Sequence, residues 1–189
     1  MEQKTFALKG NIIYTKERTR FEVMEQGWLV CEEGRVRDVY SVLPEELKGI
    51  PVEDMGDRLI IPGLTDLHIH APQYTFRSLG MDMELLEWLE TNTFPEESKY
   101  KDAEYAKKAY GMFAEQLKKS ATVRACIFGT IHNEATLILM DLLEEAGLHT
   151  MVGKVNMDRN SPDYLCEPSA EASAQATREW LKAVADREY

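Results

Sequence analysis

Three cysteines in 189 residues, Cys31, Cys126 and Cys166, are too few and too widely spaced to frame a disulfide scaffold, and they suit a reducing compartment. No apolar run approaches the roughly 20 residues that a membrane-spanning helix needs, and the opening Met1-Glu2-Gln3-Lys4-Thr5 holds no hydrophobic leader. Cations are outnumbered, 22 Lys and Arg against 33 Asp and Glu for a net charge of −11, so a surface that neutralises nucleic-acid phosphates is not expected. What the chain does have is core-forming material: 44% hydrophobic residues, with 3 Trp, 8 Tyr and 6 Phe, which excludes a disordered chain. The expectation is a soluble, cytoplasmic globular protein without a membrane or nucleic-acid partner.

Two regions are expected, 1–61 and 62–189. In the first, Phe6-Ala7-Leu8, Asn11 to Tyr14, Gly27 to Cys31, Val36 to Val42 and Arg58 to Ile61 read as strands, with a hairpin turn at Glu33-Gly34 and one helical turn near Pro44 to Lys48. Polar residues interleave with the apolar ones, which predicts an antiparallel sheet with one wet face. In the second, strands over Leu64 to His70, Val123 to Ile131 and His149 to Val155 alternate with helices. Those helices carry Tyr105 to Leu117, Glu134 to Ala146 and Ala172 to Val184, with a short one around Leu85 to Leu89. Gly147 sits where a helix C-cap belongs and Ser169 where an N-cap does. Three strand–helix units in succession argue for a parallel sheet covered by helices. From Pro62 to Tyr189 there are 128 residues, whereas an eight-stranded α/β barrel takes about 250. The alternatives are a piece of a longer barrel protein and an open sheet that ends early.

The chemistry concentrates in Pro62-Gly63-Leu64-Thr65-Asp66-Leu67-His68-Ile69-His70. Strand alternation puts His68 and His70 on one face, with Asp66 beside them, and turns Leu67 and Ile69 toward the covering helices. Two imidazoles on one strand face are either a hydrogen-bonded core pair or ligands of a divalent metal, which satisfies both nitrogens at once. The acidic residues are expected on solvated helix faces. A cytidine-deaminase-type zinc site is excluded: the cysteines stand 95 and 40 residues apart, so no Pro-Cys-x-x-Cys accompanies the one His-x-Glu, His132-Asn133-Glu134.

A strand ending Pro-Gly-x-x-Asp-x-His-x-His after a β-rich segment resembles the amidohydrolase superfamily. His68-Ile69-His70-Ala71-Pro72-Gln73-Tyr74, Leu85-Leu86-Glu87-Trp88-Leu89, Thr93-Phe94-Pro95, Gly129-Thr130-Ile131-His132 and Val152 to Asp158 together resemble its guanine deaminase branch. The resemblance implies an α/β fold: an N-terminal segment of a composite β-sandwich, then the first three βα units of a TIM-like (β/α)8 barrel, incomplete in this chain. It implies hydrolytic deamination of guanine to xanthine and ammonia by a metal-activated water. His68 and His70 would be ligands of one Zn2+, with Fe2+ the alternative, and Gln73 and Trp88 would contact the purine. His132 would be either a partner of the metal ligands or a loop anchor. Core packing is the other reading of Trp88, and a solvated loop position that of Gln73. Asp158 matches the family with a strand-end structural role, Arg124 departs from it, and His149 and Arg77 carry no assigned role.

The family's later metal-ligand histidine, proton-shuttling glutamate, arginine–phenylalanine pair and last aspartate have no counterpart before Tyr189, so the chain alone is expected to be inactive and to form a homodimer when full length. Two further readings stay open: another amidohydrolase acting on an aminated or halogenated ring, and a non-catalytic remnant that associates with another chain.

Overall fold

The computed structural model describes residues 5–187. The chain divides into two compact units at Pro62/Gly63. In the first, four strands form one sheet in the order β3-β2-β1-β4: β1 Phe6–Glu17, β2 Arg20–Glu32, β3 Arg35–Tyr40 and β4 Val52–Ile60. Glu33 and Gly34, at φ 51° and 73°, make the tight turn between β2 and β3. One expectation is corrected here. β4 runs parallel to β1, Ala7 opposite Val52 and Ile12 opposite Ile60, so the sheet is mixed rather than antiparallel. Among the described residues this unit holds one sheet. Ala7, Val30 and Leu47 form its small core.

In the second unit three parallel strands stand in the order β5-β6-β7: β5 Leu64–His70, β6 Thr122–Phe128 and β7 His149–Gly153. The segment after β5 continues as a short 3₁₀ stretch, Ala71–Phe76, and then α1 Leu85–Trp88 and α2 Phe94–Ser98 joined by a π turn over Leu89–Thr93. Pro95 has no N–H for the helical ladder, which accounts for the widened turn before it. The 16 residues of α3 Ala103–Lys118 begin at Asp102, whose carboxylate caps the N–H groups of Glu104 and Tyr105 at 2.9 and 3.3 Å. The helix α4 Asn133–Glu145 ends at Gly147, whose φ of +73° allows the reversed hydrogen bonds that close the helix. The last helix, α5 Ala170–Ala183, is capped by Ser169 through Ala172 N–H at 3.2 Å.

Helical spacing decides the core. Ala106, Ala109, Tyr110, Phe113 and Leu117 of α3 meet Ala135, Leu139 and Leu143 of α4 over Ala125 and Ile127 of β6. The opposite face of the sheet is open, with Leu67 72% and Met151 65% exposed. No helix among the described residues is long and apolar enough to cross a membrane.

Candidate metal and purine site

The site begins where β5 ends. His68 and His70 share a face, with ring centroids 5.1 Å apart and Nε2 atoms 3.2 Å apart. Ile69 packs into the core on the other side. The rest of the strand departs from simple alternation. β5 places two residues between Asp66 and Ile69 where β6 places one between Ala125 and Ile127, so a bulge shifts the faces. Asp66 is therefore paired with buried Ala125 instead of sharing the imidazole face, and its carboxylate accepts the His68 N–H at 3.0 Å. The same shift leaves Leu67 exposed instead of covered by helices.

Phe128, which the sequence reading treated only as a strand residue, completes the pair's setting. It stands opposite His70 in register, stacks on that ring at 4.7 Å and 15°, and lies 4.9 Å from His68. Burial, and after it the neighbouring His68, push His70 below the ordinary imidazole range, toward the neutral form that donates to metals.

These residues fit a metal. Two nitrogens bound at about 2.0–2.1 Å in tetrahedral geometry lie roughly 3.3–3.4 Å apart, close to the separation found. Among the described residues no third His, Cys, Asp or Glu joins them in a ligand cluster. A catalytic zinc takes about three protein ligands plus water, more than this pair alone provides.

Gln73 lies three residues past His70 in the 3₁₀ stretch, half-buried, with no hydrogen bond on its carboxamide among the described residues. Trp88 is not a core residue of a leucine cluster: Leu85 and Leu86 beside it are 65% and 72% exposed. Its indole N–H donates to Leu79 C=O at 3.0 Å and its ring lies 5.6 Å from that of Phe76, so it holds the loop after the 3₁₀ stretch. Gly80 (φ +66°) lets that loop pass, because a Cβ there would come within 2.8 Å of Trp88 Cδ1.

His132 starts α4 through its backbone: its C=O accepts the Thr136 N–H at 3.0 Å and its N–H donates to Thr130 Oγ1 at 3.1 Å. Its Nε2 is buried without a hydrogen-bond partner, and burial followed by Lys101 and Lys154 lowers its pKa. No hydrogen bond or ring contact joins it to His68 or His70 among the described residues. Nearby, Lys154 and Glu167 form a buried ion pair at 2.7 Å. Glu167 also accepts from Ser173 Oγ (2.6 Å) and Met157 N–H (2.9 Å), which fixes the segment after β7.

Two acidic side chains overturn the expectation of solvated helix charges. Glu96 and Glu97 of α2 are 8% and 3% exposed. The signal available was their place between Phe94-Pro95 and Tyr100, an aromatic-rich stretch with little room for a wet face. A cleft of about 690 Å³ lies elsewhere, along Thr65, Leu67, Cys126 and Met151 across β5, β6 and β7, and contains none of the candidate residues.

The profile of the amidohydrolase family matches residues 59–188. The chain belongs to the amidohydrolase family. Guanine deaminase of Dictyostelium discoideum is 34% identical over 92% of this chain and 42% of its own length. A crystal structure of guanine deaminase from C. acetobutylicum, with guanine bound in its active site, superposes with a TM-score of 0.89 at 42% identity, covering 97% of this chain and 44% of that one. A triazine hydrolase superposes at 0.74 with 15% identity, which shows a shared fold alone. This amidohydrolase chain thus spans less than half the length of the relatives it matches.

Proposed function

We propose that this chain is the N-terminal portion of a guanine deaminase, supplying the first three βα units of an eight-unit barrel and two ligands of a catalytic Zn2+, with Fe2+ the alternative. The observation that carries the reading is the His68–His70 pair, side by side on β5 with Nε2 atoms at near-tetrahedral ligand separation, in a chain 42% identical to a structure that holds guanine. The reaction hydrolyses the guanine C2–amino bond: a C–O bond forms, the C–N bond breaks, the nitrogen leaves as ammonia with one of the water's protons, and the other proton stays on the ring product, giving xanthine after tautomerisation. When bound, the metal lowers the pKa of its water so that a nucleophile exists near neutral pH.

This chain's own residues do the rest that concerns it. His68 and His70 present their ring nitrogens, kept in place by Phe128 and by the Asp66–His68 backbone bond. Gln73 offers both a donor and an acceptor, the pattern that a guanine edge requires. Trp88 supports the Gln73 side through Phe76 and Leu79. The protein is cytoplasmic in this reading, binds a small purine rather than nucleic acid, and is a homodimer when full length.

The test uses the natural full-length protein and the 189-residue chain side by side. Ammonia release from guanine by the former and none by the latter is expected, because two histidines do not complete a zinc site. Gln73→Glu in the full-length protein should cut guanine kcat/KM by about a hundredfold, since it loses the donor and sets a charge against the base. Turnover of an adenine or chlorotriazine ring in preference to guanine, or indifference to Gln73→Glu, would refute the reading.

A further inference from the structure

We infer that Glu96 is a positioning residue for the substrate loop: it fixes Gln73 from α2, and so controls purine affinity without touching the metal pair. The inference rests on the reading of Gln73 as the base-recognising residue.

The 3₁₀ stretch 71–76 carries its own i→i+3 backbone bonds, whose geometry is poorer than that of α-helical bonds. Thr75 Oγ1 reaches Pro72 C=O at 3.4 Å, and the Arg77 N–H reaches Tyr74 C=O at 3.4 Å, both at the long end of hydrogen bonding. The short contacts come from outside it. Thr75 Oγ1 donates to Glu96 Oε1 at 2.6 Å, and the same oxygen accepts from Tyr105 Oη. Glu96 Oε2 accepts from Lys99 Nζ at 2.6 Å. Tyr100 Oη donates to Pro72 C=O at 3.3 Å. Gln73 thus sits between two pinned points, the Pro72 carbonyl and the Thr75 hydroxyl, both held by the α2–α3 segment.

Glu96 suits this task for a physical reason. Burial favours its neutral form, but the Lys99, Thr75 and Tyr105 hydrogen bonds outweigh burial and keep its carboxyl below the usual range. A carboxylate with three donors on two oxygens has no free rotation left. Charge-assisted bonds of this kind are about twice as strong as neutral ones. Among the described residues no hydrogen bond links Glu96 to the histidine pair, whose setting comes from β5 and Phe128. The affinities for metal and for purine are therefore separable.

The experiment compares Thr75→Val, Glu96→Leu and Glu96→Gln in the natural full-length protein. Thr75→Val keeps the shape and deletes one donor, so it reports even if Glu96→Leu fails to fold. In Thr75→Val and Glu96→Leu, guanine KM should rise about tenfold with kcat within twofold, and amide exchange in 71–76 should quicken about tenfold while α3 is unchanged. Glu96→Gln retains an acceptor for Thr75 and should recover most of the KM. Zinc affinity, measured with a competing chelator, should stay within about twofold in all three. Unchanged exchange in the loop overturns the inference, as does quickened exchange with an unmoved KM. A parent protein that turns over no guanine sinks the functional reading instead, and the exchange measurement then decides the anchoring by itself.

Discussion

Glu97 should make the protein less stable as the solution becomes more alkaline. It is 3% exposed, its Oε2 has no hydrogen-bond partner, and burial pushes its pKa from 4.5 up to about 7. The unfolded chain releases this proton near 4.5, while the folded chain keeps it until about 7. Across that window the native state binds more protons than the unfolded one, so stability falls as pH rises, and the loss is complete above the folded pKa. A shift of about 2.5 units at 1.36 kcal/mol per unit gives a destabilisation of about 3 kcal/mol. Glu97→Gln has no proton to release. Its stability relative to the parent should therefore improve by about 3 kcal/mol between pH 4 and pH 8, as read from urea unfolding midpoints at both pH values. Any packing effect of the amide is the same at both pH values and cancels in the difference. A gap between variant and parent that is equal at the two pH values would refute the reasoning.

Removing one member of the buried Lys154–Glu167 pair leaves the other charge without its partner. With Lys154 side-chain exposure at 0% and Glu167 at 9%, Lys154→Met should cost about 3–5 kcal/mol in urea unfolding, and the double variant with Glu167→Met should recover part of it. Phe128→Ala removes the ring stacked on His70 and close to His68. It should weaken zinc binding by about tenfold in a chelator competition, through freer imidazoles.

How far the sequence could be read depended on which physical signal each element carries. The helices α3 and α4 were legible because apolar residues at i, i+3 and i+4 report a buried face, and that face is where Tyr110, Phe113, Leu139 and Leu143 lie. The hairpin at Glu33-Gly34 was legible from its own turn chemistry. The parallel pairing of β1 with β4 was not, because alternation reports a face and says nothing of the neighbour across the ladder. The histidine pair could be read from a two-residue spacing, but the bulge at Asp66–Ile69 could not, and parity counted through it misplaces both Asp66 and Leu67. Phe128 joins the site only through strand register. Glu96 and Glu97 were hidden because acidic residues are usually solvated, and only the packing of α2 against the 3₁₀ stretch and α3 reveals that these two are not.

Those adjacent carboxyls lead to one more expectation. Burial acts on both, yet Glu96 holds three hydrogen-bond donors and Glu97 Oε2 holds none, so their pKa values move in opposite directions. Glu96, lowered, contributes stability that is present above its ordinary value and is lost as pH falls through its folded pKa. Glu97, raised, withdraws stability as pH rises from 4.5 to about 7. Together they give the second unit a stability maximum near the ordinary carboxyl value, with an acid arm due to Glu96 and an alkaline arm due to Glu97. Unfolding midpoints measured from pH 3 to 8 should show the alkaline arm missing in Glu97→Gln and the acid arm shallower in Glu96→Gln. Other carboxylates add to the acid arm equally in both variants, so the comparison isolates the pair. If Glu96→Gln keeps the parent's slope below pH 4.5, then the Thr75, Tyr105 and Lys99 donors are not bound to an ionised carboxylate, and the anchoring of the Gln73 loop loses its energetic basis.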